Sequence, residues 1–158
     1  MTETAVGADV ADFRSVLGHF PTGVAVVAGI AYDGGPVGLT IQSFMALSLD
    51  PPMVLVSIDR RSTSWPPIAE GGQFVVNVLS SQQEDIAKSF ARSGGPKFDG
   101  VSWTPGASTG APIITDCQAW VECRVWQIYD GGDHEIVAAQ VTGLGAVADP
   151  HSHPLVFF

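Results

Sequence analysis

Apolar residues in this chain fall mostly into short runs, and the turn residues between them predict many strands and few helices. Phe13, Val16, Leu17 and Phe20 recur at i, i+3, i+4 and i+7, the stripe of an amphipathic helix that Pro21 ends. Gly23–Gly29 reads as a buried strand, with Tyr32-Asp33-Gly34-Gly35 as the hairpin turn after it. Two apolar segments follow, Val37–Met45 and Met53–Ile58, joined by Leu47-Ser48-Leu49-Asp50-Pro51-Pro52. Ser64 reads as the N-cap of a short helix that carries Pro66 and Pro67 in its first turn and stops at Gly71-Gly72. Gln73–Leu79 is another strand. Ser81 and Glu84 have capping-box spacing ahead of a helix face made by Ile86, Ala87, Phe90 and Ala91. Pro96–Gly110 reads as a loop rich in Gly, Pro and Ser. Ala119–Tyr129 alternates, with Glu122 and Arg124 on a polar face expected to be wet. Asp130-Gly131-Gly132-Asp133 then turns the chain into His134–Gly143, a last long strand.

Strands joined by hairpins, with helices between them, favour a mainly β fold: a closed antiparallel barrel with helices at its ends. No GxGxxG follows a strand and no Walker motif is present, so a nucleotide would be bound outside a Rossmann frame. The 158 residues suit one domain, expected over 10–158 behind a small, polar, flexible tail at 1–9.

Composition adds three constraints. Hydrophobic residues make up 46% of the chain and charged ones only 15%, an excess that an oligomer hiding part of its surface would explain. Seven basic residues against sixteen acidic ones give −9, which argues against nucleic-acid or anionic-membrane binding. No apolar run approaches the ~20 residues needed to cross a bilayer. The opening MTETAVGADVAD has no basic region before an apolar stretch, so a cytoplasmic location is expected. Cys117 and Cys123 fit no zinc pattern. Six positions apart on an extended strand, they would lie roughly 20 Å from each other, and they read as small core residues.

The candidate chemistry gathers at two strand ends. Thr40-Ile41-Gln42-Ser43 places hydroxyls and an amide where a core strand would alternate Val and Ile, and Ser57-Ile58-Asp59 runs into Arg60-Arg61-Ser62-Thr63-Ser64. Such a rim holds a polar ligand over an apolar wall, or else simply meets solvent. Ser62 and Ser64, just before a helix, suit a phosphate or act as caps. Arg60 or Arg61 would add charge there, although surface arginines need no ligand to explain them. Trp65 either borders a ring ligand or belongs to the core. His151 and His153 have no third ligand in sight and read as a polar tail.

Gly38-x-Thr40-x-x-Ser43-Phe44, Ser48-Leu49-Asp50-Pro51-Pro52 and Ser57-Ile58-Asp59-Arg60 resemble the flavin reductase-like family over nearly the whole chain, from Phe13 to about Phe157. Phe13–Gly18 and Gln42-Ser43-Phe44 look closest to reductase partners of aromatic-ring and steroid-ring hydroxylases. The resemblance implies a split-barrel, Greek-key FMN-binding fold, normally a homodimer with flavin at or near the interface. It implies flavin contacts from Val37, Gly38, Thr40, Ile41, Gln42, Ser43, Ser57, Ile58, Asp59, Ser62, Ser64 and Trp65, and from Lys97-Phe98 in the Gly-rich loop. Lys97 would then be a second phosphate contact. A Gly-Asp-His turn at the head of a strand recurs in the family, and the implied role of His134 in Gly131-Gly132-Asp133-His134 is contact with nicotinamide or flavin. Two features depart from the pattern: relatives usually continue past Leu155-Val156-Phe157 with an Arg-Gly-x-Tyr/Phe segment, and Gln42 stands where many members carry a small residue.

The activity so implied is an NAD(P)H:flavin oxidoreductase. Hydride passes from NADH, or NADPH, to FMN or FAD, and the reduced flavin serves a separate oxygenase component. The flavin performs the redox chemistry, which agrees with the lack of an obvious nucleophile or acid–base pair. The alternative is a flavin- or cofactor-binding barrel without turnover.

Overall fold

The computed structural model describes residues 9–158. The expected tail lies outside them except for Asp9, whose carboxylate caps the first helix by accepting from the Ala11 amide. In chain order the elements are α1 (Val10–Leu17), β1 (Thr22–Gly23), β2 (Ala25–Ile30), β3 (Pro36–Ile41), β4 (Phe44–Leu49), β5 (Pro52–Asp59) and α2 (Trp65–Gly71). Then come β6 (Gln73–Val78), α3 (Glu84–Phe90), β7 (Trp103–Pro105), β8 (Pro112–Ile114), β9 (Ala119–Gly131), β10 (His134–Ala146) and β11 (Val156–Phe157).

One antiparallel sheet in the order β3-β2-β6-β9-β10-β5-β4 organises the chain. The ladder is not closed. β3 and β4 are consecutive in sequence yet form its opposite edges, so the sheet is split at Gln42-Ser43, between them. It nevertheless curls: Leu39 and Ile41 from one edge share a single buried cluster with Val54, Val56 and Ile58 of β5. A side chain staples the split, since the Ser43 hydroxyl donates to Ser57 O at 2.6 Å and accepts from Ser57 N at 3.0 Å. The apolar segment Val37–Met45 is therefore two strands. Leu47-Ser48-Leu49, expected in the connection, belongs to β4, because the polar Gln42-Ser43 pair is where the backbone changes edge.

β2 is buried on both faces, which is why it reads as an unbroken apolar run. Ala25 and Val27 enter the interior cluster, while Val24, Val26 and Ala28 meet a second one closed by Leu79, Phe90 and Ile114. α3 and the 96–114 segment cover that outer face. The segment is not a plain loop, for β7 and β8 pair as a small hairpin inside it.

Capping also departs from the spacing rule. No side chain caps α3 in a capping box; Gln83 instead accepts from Ser80 N and donates to Thr115 O. Glu122, expected on a wet face, is 4% exposed. The turn before β8 folds over it, and its carboxylate accepts from Ser108 N, Thr109 N and Thr109 Oγ1 at 2.9–3.0 Å. Cys117 and Cys123 are buried free thiols, and burial pushes them up to about 11 and about 12.

The helical stripe forms but finds no cover among the described residues, and the helix closes at Gly18, before Phe20 and Pro21. Phe13, Val16, Leu17 and Phe20 of α1 and the turn after it are each more than half exposed. No helix among the described residues is long and apolar enough to cross a membrane.

Candidate functional site

The split in the sheet is also where the cavities open. A cavity of about 440 Å³ lies between β3, the segment after β5 and the end of α3, lined by Thr40, Asp59, Arg61, Ser62, Ser64 and Lys97 among others. A second, of about 330 Å³, continues along the strand ends past Ile41, Gln42, Ser43 and Ser57 to His134. The two share Leu39, Thr40, Asp59 and Ala91, so they form one groove.

The groove has two chemically different ends. At the first, Ser62 Oγ accepts from Trp65 N at 3.2 Å, so Ser62 and not Ser64 caps α2. Ser64 Oγ accepts from Lys97 Nζ at 3.1 Å. Both hydroxyls act as acceptors inside the protein, which leaves their O–H groups to donate into the groove. Three of the seven basic residues, Arg61, Arg92 and Lys97, line this end, so it favours an anion in a chain of net charge −9. Asp59 offsets only one of those charges: the Arg61 guanidinium and amide hold its carboxylate, the former at 2.8 Å, and keep it ionised and well below the usual range, while Arg92 and Lys97 leave an excess of positive charge.

Lys97 is engaged on every side. Its ammonium donates to Gly38 O, Ser64 Oγ and Phe90 O at 3.1–3.2 Å, and burial pulls its pKa down. It thereby bolts β3, the loop before α2 and the end of α3 together. Gly38 must be a glycine here, since a Cβ would come within 2.9 Å of the Phe90 ring.

At the other end the β2–β3 ladder stops at Ile41 and pairing resumes at Phe44, so Gln42 and Ser43 lie outside it. Thr40 Oγ1 donates to Ala87 O at 2.7 Å, tying β3 to α3. His134 stands across from Asp59 in the β5–β10 pairing. Its Nδ1 lies 2.7 Å from Asp133 Oδ1, and since a carboxylate only accepts, Nδ1 carries a proton. A neutral ring then presents Nε2 as an acceptor.

The family model described as the flavin reductase like domain matches residues 17–158. The chain belongs to the flavin reductase-like family. The reductase subunit of a flavin-dependent monooxygenase from Mycobacterium tuberculosis is 42% identical over 146 residues, 92% of this chain and 77% of that protein. A flavin reductase (NADH) from Kitasatospora aureofaciens is 39% identical over 147 residues, covering 92% and 76%. Among solved structures, the NADH:FAD oxidoreductase of Streptomyces globisporus C-1027 with NAD and FAD fragments has a TM-score of 0.87 at 35% identity, covering 94% of this chain and 88% of that one. The split barrel is thus the fold of the family.

Of the residues singled out from the sequence, Thr40, Ile41, Gln42, Ser43, Ser57, Asp59, Ser62, Ser64, Lys97 and His134 line the groove. Val37, Gly38 and Phe98 line a smaller cavity of about 260 Å³ that adjoins it through Ser64 and Lys97. Ile58 and Trp65 line neither; both are core, and Trp65 spends its indole N–H on Glu135 Oε2 at 2.8 Å. Ala91, Arg92 and Ser93 were not foreseen. Their signal was faint: a small residue after Phe90, then Ser93 before Gly94-Gly95.

Proposed function

We propose that this chain is an NAD(P)H-dependent flavin reductase that uses NADH to reduce FMN or FAD and supplies the reduced flavin to a separate oxygenase in the cytoplasm. The groove carries this reading, with an anion-favouring end at Arg61, Ser62 and Ser64 and a strand-edge end at Gln42, Ser43 and His134. A flavin fits both: its phosphate takes the free hydroxyl protons and the arginine, and its ring edge takes the backbone outside the ladder at Gln42-Ser43. Bound flavin supplies the hydride-accepting chemistry. The residues bind, orient and keep water from the two rings, and His134 offers an acceptor to the nicotinamide carboxamide. Initial rates of NADH consumption with FMN, FAD and riboflavin in turn test the reading. Turnover with a phosphate-bearing flavin is expected; its absence with all three would reject the assignment.

The His134 role has its own outcome. His134→Ala is expected to lower kcat/KM for NADH by about tenfold, the scale of one lost polar contact, with flavin affinity changed by less than about threefold. Unchanged NADH kinetics would leave His134 a turn residue.

The assembly is a homodimer in this reading. The uncovered stripe of α1 and the exposed Leu49, Phe157 and Phe158 supply apolar surface for a second copy. Light scattering should give twice the 16.5 kDa chain mass, and a strict monomer at micromolar concentration would contradict it.

A further inference from the structure

Arg60 follows Asp59 directly, yet it does not join Arg61 at the groove. It turns to the hairpin that carries His134. Its backbone amide donates to Asp133 O at 3.0 Å, and its Nε donates to Gly132 O at 3.0 Å. The ends of the guanidinium reach the Asp130 carboxylate and, at 3.5 Å, Glu135 Oε1. Glu135 is itself anchored through its other oxygen by the buried Trp65 indole at 2.8 Å. One side chain therefore spans the β9–β10 turn from Asp130 to Glu135 and pins it to the end of β5.

The fork geometry of arginine suits this better than any other side chain, because it offers donors in three directions within one plane. The turn needs such a tie. Asp130 and Asp133 are 85% and 88% exposed at their side chains, and Gly132 sits in the left-handed region at φ 77°, so little packing fixes the loop. Exposed ion pairs add little to global stability. Their effect here is local: a turn with few buried contacts can loosen without unfolding the domain, and His134 would move with it.

We propose that Arg60 is a positioning residue for the hydride step, holding the 130–134 turn so that His134 stays at the groove. The inference rests on the flavin reductase reading. Arg60→Met is expected to lower kcat/KM for NADH about tenfold while flavin affinity stays within about twofold. Arg60→Lys should recover part of the loss, since it keeps the charge but not the fork. In a His134→Ala background, Arg60→Met should add nothing further, because both changes remove the same contribution. Amide hydrogen exchange at 131–134 should quicken at least about tenfold in Arg60→Met and not in Arg124→Met, a control that removes an exposed charge elsewhere on β9. Additive losses in the double variant, an equal loss of flavin affinity, or unchanged exchange in the turn would each overturn the role. Normal wild-type turnover with unaltered Arg60→Met kinetics would reject this inference alone; a wild type that never oxidises NADH with flavin would reject the reductase reading along with it.

Discussion

Exchanging Glu122 for alanine is expected to cost about 3 kcal/mol of stability and roughly 10 °C in melting temperature, as judged from hydrogen bonds to a charged acceptor and the size of the domain. The carboxylate is the only acceptor recorded for the Ser108 and Thr109 amides among the described residues, and it also holds the Thr109 hydroxyl. The site is shaped around it, because a Cβ at either Gly106 or Gly143 would collide with its oxygens. Burial pushes the Glu122 carboxyl up, but the hydrogen bonds from Thr109 and Ser108 together outweigh it, and the net direction is down. The sign of the pH dependence follows. A carboxyl depressed in the native state contributes fully above its unfolded pKa of about 4.3 and loses that contribution as pH falls below it. Thermal melts from neutral pH down to the acid limb should show this loss in the wild type and a flatter slope in Glu122→Gln, which keeps the shape. An alanine variant as stable as the wild type would mean that water replaces the carboxylate at no cost.

The second large effect separates the two ends of the groove. Arg61→Ala combined with Ser62→Ala should weaken FMN binding at least about tenfold, while riboflavin, which lacks the phosphate, should change by less than about twofold. Two causes add. The variant loses donors to the anion, and it frees the Asp59 carboxylate, which Arg61 otherwise neutralises, to repel it. Added salt should weaken FMN binding and leave riboflavin largely unaffected, since the contact is exposed to screening. Calorimetric titration of both ligands decides the matter. Equal losses for the two would assign these residues to the fold, where Ser62 already caps α2.

What the sequence disclosed follows from how local each feature is. Helix stripes and hairpin turns depend on neighbours within a few residues: Phe13, Val16 and Leu17 lie on a helix, and Tyr32–Gly35 and Asp130–Asp133 turn as expected. The motif around Thr40–Ser43 and Ser57–Ser64 marked the groove for the same reason, its polar groups standing out against apolar strands. The misses were non-local. Nothing in the order of residues says that Gln42-Ser43 carries the chain from one sheet edge to the other, because β3 pairs with β2 and β4 with β5. Glu122 alternates as an outward residue should, and only the distant Ser108-Thr109 turn makes it buried. Ser64 reads as a cap and Lys97 as a phosphate contact, and nothing local signals that the two, 33 residues apart, bond to each other.

The central claim is direct hydride passage from nicotinamide to flavin in this groove, and anaerobic single-turnover mixing tests it most directly. The protein with bound flavin is mixed with NADH, or with NADH deuterated at the transferred position, and loss of the visible flavin absorbance is followed. The expected result is bleaching much faster than in protein-free flavin, slowed by deuterium because the C–H bond breaks in the observed step. Bleaching no faster than the protein-free control, despite bound flavin, would contradict it and leave a binding barrel without turnover.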